Sequence, residues 1–227
     1  MKLPLLLGSI LLALAGCASP GDALRTDEAP VSAAAPAAGA LTHAAAAAAS
    51  LKTLASLVTP EKRLGFTSPS EVASASLAEP LPMVMVGLND LRAYRTGDDP
   101  RPLLRSEGSF LYPVTVGADV RSSMLVRQVK GEWKATQFGR ANLARFAHEG
   151  RRQVSLARGD AESGVSLVEI PTMSARMLGH EEAGVPMLTA LVDVPGTALR
   201  AGATAPAADV FAKLQPLAAR NDGTAPN

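Results

Sequence analysis

The sequence predicts an α+β fold: an antiparallel sheet with a central three-stranded meander, packed on one face by helices. Three observations carry this. Residues 109–139, SFLYPVTVGADVRSSMLVRQVKGEWKATQFG, alternate apolar and polar side chains and break at Gly117-Ala118 and Lys130-Gly131. Helix signals stand on both sides of that stretch. Further short apolar runs, punctuated by Gly159-Asp160, Pro171 and Gly184, come after it.

The chain of 227 residues opens with Met1-Lys2 and an apolar run from Leu3 to Leu14, the proportions of a signal-peptide core and too short for a bilayer span. The run ends in Leu14-Ala15-Gly16-Cys17. These four residues resemble the lipobox of bacterial lipoproteins. The resemblance implies that residues 1–16 are a signal peptide and that Cys17 is lipidated as the mature N-terminus. It also implies palmitate-type acyl chains and a cell-envelope address. Ala18 stands where an Asp would resemble an inner-membrane retention signal, so the outer membrane, with the domain facing the periplasm, is the expected location. Residues 17–42 are rich in Ala and Pro and read as a flexible tether spanning roughly 25–30 Å.

A single domain is expected over residues 43–220. His43 to Ala49 is strongly helix-forming, with Leu51, Leu54, Leu57 and Val58 as a stripe before Pro60. This segment is either a first helix packed on the domain or a continuation of the tether. Ser68-Pro69-Ser70-Glu71 carries a cap, a proline for the first helical position and a carboxylate that reaches back, which predicts a helix to about Leu77. Residues 83–88 read as a buried strand, and Asn89 as the cap of a helical turn through Tyr94. In the meander, a two-residue turn at Lys130-Gly131 sets Gln128 opposite Trp133, Val126 opposite Ala135, Met124 opposite Gln137 and Arg127 opposite Lys134. Alternation then puts Val120, Met124, Val126, Trp133 and Ala135 on one apolar face, with Trp133 buried beneath a helix. Pro113 fits an edge or a bulge better than a central strand.

Residues 142–149 predict a short helix with Leu143, Phe146 and Ala147 inward and Gly150 at its end. Strand-like segments lie at 153–157, 165–170, 175–178 and 187–192. A last helix from Pro206 has Val210, Phe211, Leu214 and Leu217 as its buried stripe and Pro216 as its kink or end. Residues 221–227 read as a disordered tail. This order fits a cystatin-like or NTF2-like curved sheet at the level of architecture. The segments Leu64-Gly65-Phe66, Ser68 to Val72, Leu111 to Val114, Val120 to Ser123 and Gly131, Trp133 and Lys134 also resemble uncharacterised bacterial envelope lipoproteins. That resemblance implies a fold and brings no catalytic residues.

Charge is nearly balanced, with 22 Lys and Arg against 21 Asp and Glu, which gives no global pull toward nucleic acid. A local excess of cations lies between Arg121 and Arg158, with only Glu132 and Glu149 against it. It reads as a scattered solvated face, with a basic patch for anionic lipid or polysaccharide as the sharper alternative. The lone Cys17 leaves no intrachain disulfide and no cysteine zinc site. His43 lies beside the tether and His148 near a helix end. His180-Glu181-Glu182, the one His–carboxylate cluster, falls in an expected loop and lacks the second His of a zinc motif. Gly164-Val165-Ser166-Leu167-Val168 lacks the closing Gly of a nucleophile elbow, and Asp98-Asp99-Pro100 is ordinary turn chemistry.

Catalytic, cofactor and metal residues are therefore expected to be none, and Cys17 is the one site residue. The expected function is a lipid-anchored envelope protein with a non-enzymatic binding or scaffolding domain for a protein or an apolar ligand. A concave sheet lined by Met83, Met85, Met124 and Val126 without convergent polar groups would favour binding, and a cleft joining His180 to a carboxylate and an exposed Ser would favour an enzyme. The alternative is a small envelope hydrolase that uses His180 or His148 with a carboxylate.

Overall fold

The computed structural model describes residues 42–159 and 164–221. The leader, Cys17 and the tether up to residue 41 lie outside the described residues, as does the tail from 222. The α+β expectation holds. Helices α1 (His43–Leu57), α2 (Leu88–Ala93), α3 (Ala141–Arg158) and α4 (Ala207–Arg220) pack on one nine-stranded, mostly antiparallel sheet. Its strands are β1 (Ala75–Leu77), β2 (Leu81–Met85), β3 (Ser106–Val116), β4 (Asp119–Val129), β5 (Glu132–Phe138), β6 (Ser166–Ile170), β7 (Ala175–Glu182), β8 (Val185–Ala190) and β9 (Thr204–Pro206). The spatial order is β5-β4-β3-β2-β6-β7-β8-β9, with β1 also on β3. The meander β3-β4-β5 therefore forms one end of the sheet rather than its centre. A parallel pairing, Met83 to Leu167 through Met85 to Glu169, joins it to the second half.

Neighbouring residues of a strand face opposite ways, and this shows that helices cover both faces. Leu167 and Leu178 pack with Leu143, Ala147 and Val154 of α3, while Val168 and Met177 pack with Val210, Phe211 and Leu214 of α4. On the same face as α4, α1 covers Tyr112, Val114, Met124 and Val126 at the meander end. One-sided cover survives only at the outer edge, where Arg127, Lys134 and Thr136 are exposed.

Lys130 and Gly131 form the expected two-residue turn, with φ of 54° and 82° matching the positive values a type I′ turn requires. The pairs Gln128–Trp133, Arg127–Lys134 and Val126–Ala135 are as expected. A bulge between Leu125 and Val126 then shifts the register, so Met124 faces Phe138 and Gln137 faces Leu125. A second irregularity sets Val120 opposite Thr115, and Val120 is buried away from the cluster that holds Met124 and Val126.

Pro113 sits in the interior strand β3, against the edge expectation. Its carbonyl accepts from the Ala78 amide at 2.9 Å, just after β1 ends and before β2 begins. The N–H and C=O of a strand residue point to the same side, so the missing donor meets the gap between β1 and β2, where no ladder bond is lost. Arg151, 1 % exposed, closes the same gap by donating to the Glu79 and Pro80 carbonyls at 2.8 and 3.3 Å.

Two helices depart from the sequence reading. Ser68 makes no side-chain cap; Glu71 instead accepts from the amide and hydroxyl of Thr67 at 2.6 and 2.7 Å. The helix expected from here to Leu77 is only a 3₁₀ turn over Pro69–Ser74, which gives way to β1. Helix α3 runs straight through Gly150 and takes up the expected strand at 153–157. A Cβ on Gly150 would stand 2.8 Å from a Leu191 methyl and 2.9 Å from one of Leu178, so this glycine lets the helix approach the sheet closely rather than ending it. The end comes at Gly159, whose left-handed backbone closes the last turn. Phe146, expected inward, is 50 % exposed. In α4, Pro216 lies within the helix and ends nothing, Leu217 is only half-buried, and Pro206 serves as the cap. Asn221 is tied in as well, its side-chain amide donating to the Thr172 carbonyl at 2.9 Å. Residues 83–88 split between β2 and the start of α2, whose cap is Gly87 rather than Asn89.

Candidate functional site

The three histidines lie in three different settings. His180 belongs to β7, not to a loop, and is 5 % exposed. Its Nε2 lies 3.2 Å from Glu182, two residues along the same strand and hence on the same face. Its Nδ1 is enclosed without a partner among the described residues. Ser166 pairs with Gly179 and so projects from the opposite face to His180. Both residues nevertheless line one recess of about 210 Å³, together with Arg101, Gly179, Glu181 and Pro186. His148 sits in mid-helix rather than near an end, with Nδ1 enclosed and unpartnered among the described residues. Asp98 and Asp99 accept from the Arg95 and Arg101 amides at 3.0 and 3.1 Å, turn chemistry as expected.

His43 is the histidine that sequence reasoning passed over. As the first residue of α1 it stacks on Phe110 with ring centres 3.9 Å apart and planes at 10°. It meets the Trp133 edge at 5.4 Å, and its Nδ1 bonds the Tyr112 hydroxyl at 2.5 Å. Trp133 is accordingly half-buried, packed under the start of α1 rather than sealed in the core. The signal lay in the alternation of β3, which brings Phe110 and Tyr112 to one face, but nothing in the sequence tied His43 to them. Burial, with the charge of Glu79 adding to it, pushes the Tyr112 hydroxyl up to about 12. The folded state therefore holds this proton more tightly than the unfolded chain. The contribution is intact below pH ~10 and is lost as pH rises toward 12. Urea unfolding at pH 8 and pH 11.5 is expected to show a smaller alkaline loss in Tyr112→Phe than in the wild type. Equal losses in the two would remove this assignment.

Met83, Met85, Met124 and Val126 do not line one concave surface. Met83 packs under α3, Met124 and Val126 under α1, and Met85 is 39 % exposed. A groove of about 560 Å³ lies instead between α3 and the far end of the sheet. Phe146, Gly150, Gln153 and Ala157 recur at helical spacing along one wall. Thr189, Ala190, Leu191, Ala201, Gly202 and Thr204 form the other. The polar side chains of the lining are already engaged: the Thr189 and Thr204 hydroxyls bond each other at 2.8 Å, and Glu149 is bound by Arg152 and Gln153 at 2.8 and 3.0 Å. The Arg152 hydrogen bond, then that of Gln153, holds the Glu149 carboxyl below its ordinary range. Small residues and one half-exposed ring leave apolar surface and backbone open to a ligand, in the size class of ordinary ligand sites.

Among the described residues no group of three or more His, Cys, Asp or Glu is placed to hold a metal, and no helix is long and apolar enough to cross a membrane. The chain matches no family model, no curated protein and no solved structure.

Proposed function

We propose that this chain is a lipid-anchored bacterial envelope protein whose α+β domain is a non-enzymatic binding module, with the groove between α3 and the β8–β9 end as its ligand site. The carrying observation is the groove itself: Phe146 is 50 % exposed beside a wall of Gly150, Ala157, Ala190 and Gly202. Large aromatics at the rim of an apolar recess are typical anchors for a protein or apolar partner. The leader ending in Leu14-Ala15-Gly16-Cys17 supports the envelope address.

A photoreactive phenylalanine analogue at position 146, irradiated in intact envelopes, tests the groove. Leu156, 70 % exposed on the same helix and outside the groove, is the control position. The expected result is a discrete adduct from 146, absent from 156 and removed by filling the groove with Ala157→Trp. Identical adducts from both positions would eliminate the groove. The His180–Glu182 pair favours the hydrolase as second reading. His180→Ala is expected to leave the adduct intact; loss of an envelope phenotype with unchanged thermal stability would promote the hydrolase instead.

A further inference from the structure

The hairpin tip between β4 and β5 is cationic and stands beside the point where the chain enters the domain. Arg127 and Lys134 are exposed, directly opposite each other in the β4–β5 register, and Lys130 is exposed in the turn. Glu132 bonds Lys134 at 2.8 Å, whereas Arg127 and Lys130 have no ion-pair partner among the described residues. Like charges facing across a ladder repel unless an anion lies near them. His43 is fixed against Phe110 and Trp133, and these pair with Val126 and Gln128, the residues on either side of Arg127. Residue 42, where the described chain begins, therefore lies at the meander end of the sheet and not at the groove, which lies beyond β6 and β7 at the other end.

We propose that Arg127, Lys130 and Lys134 dock the β4–β5 tip on the anionic headgroups of the phospholipid surface to which the chain is anchored. The inference rests on the lipid-anchor reading for its choice of membrane as partner. What selects headgroups over another polyanion is that the described domain begins, at α1, on the same end of the sheet as the tip. Docking would orient the groove away from the bilayer.

The test uses the mature chain carrying Cys17→Ser, without residues 1–16, so that neither acyl chains nor the apolar leader binds lipid. Its binding to vesicles of phosphatidylcholine with roughly 30 % phosphatidylglycerol is followed by sedimentation and by the emission of Trp133, the single tryptophan. Binding is expected to vesicles with phosphatidylglycerol and not to phosphatidylcholine alone, and to be released at about 0.5 M salt. A basic residue at an anionic surface contributes roughly fivefold, so Lys130→Glu with Lys134→Glu is expected to lower partitioning at least tenfold. Arg127→Gln with Lys134→Gln leaves the turn untouched and should lower it roughly 25-fold, which guards against a misfolded first variant. No binding to the anionic vesicles, undiminished binding of both variants, or binding to anionic polysaccharide alone would overturn the proposal. Palmitate-analogue labelling of the wild type reports on the anchor separately: labelled wild type with a vesicle-blind mature variant sinks the tip and keeps the anchor.

Discussion

Replacing Cys17 with Ser is expected to abolish the lipid modification and, with it, the salt-resistant acyl anchoring of the mature protein. The wild type should take up a palmitate analogue and leave membranes in detergent but not in high salt. The variant should be unlabelled and accumulate as precursor or as a soluble periplasmic form. The size of the effect comes from the anchor's chemistry: each buried methylene contributes about 0.8 kcal/mol, so several acyl chains outweigh any surface contact the domain makes. The described helices add no membrane span of their own. Salt separates the two modes, since screening weakens adsorption through the cationic tip and leaves an acyl anchor unaffected. Unlabelled wild type that washes off in salt would remove the lipoprotein reading.

Phe211→Ala is expected to cost about 4 kcal/mol, the largest stability loss of any single truncation proposed for this chain. The ring is fully buried at the centre of the cluster between α4 and strands β2, β6, β7 and β8, and it meets Tyr94 edge-on at 5.6 Å. That contact also holds α2. Arg92 donates to the Ala218 carbonyl at 3.0 Å, and Gln215 returns a bond to the Arg92 carbonyl at 3.3 Å. Loss of the ring should therefore loosen both helices together. Urea denaturation gives the measurement, and a shift of under about 1 kcal/mol would mean that α4 is not bound to the sheet as described.

The parts of the fold legible in the sequence were those with strict periodicity and turn chemistry. The β4–β5 turn and its first three pairs could be read from Lys130-Gly131, and the stripe Val210, Phe211, Leu214 located α4. Bulges hid the rest of the register, because an inserted residue leaves no mark in an alternating pattern beyond the break itself. Gly150 misled for a related reason. Glycine at a helix end and glycine at a close helix–sheet approach look alike in one dimension, although Leu143, Ala147 and Val154 do recur at helical spacing across it. The groove was not legible at all. It joins α3 to residues 189–204, and only the parallel pairing of β2 with β6, set by distant strands, brings that half of the sheet alongside. His43 was read only as lying beside the tether, because its partners Phe110 and Tyr112 lie nearly seventy residues away in β3.

The parallel pair also bears on the order in which the molecule assembles. On one side β2 meets β3, where Leu81 finds Leu111; on the other it waits for β6, where Met83 finds Leu167. Closing the second, longer loop costs more chain entropy, which favours its forming after the β2–β3 pair. Until then the far side of β2 is a row of open backbone groups, a template for strands of other molecules. Pulse-labelled hydrogen exchange is expected to protect β3–β4 amides ahead of those shared by β2 and β6. On the proposed envelope reading, export would precede folding, and this interval is when the chain would most need a chaperone to keep that edge covered.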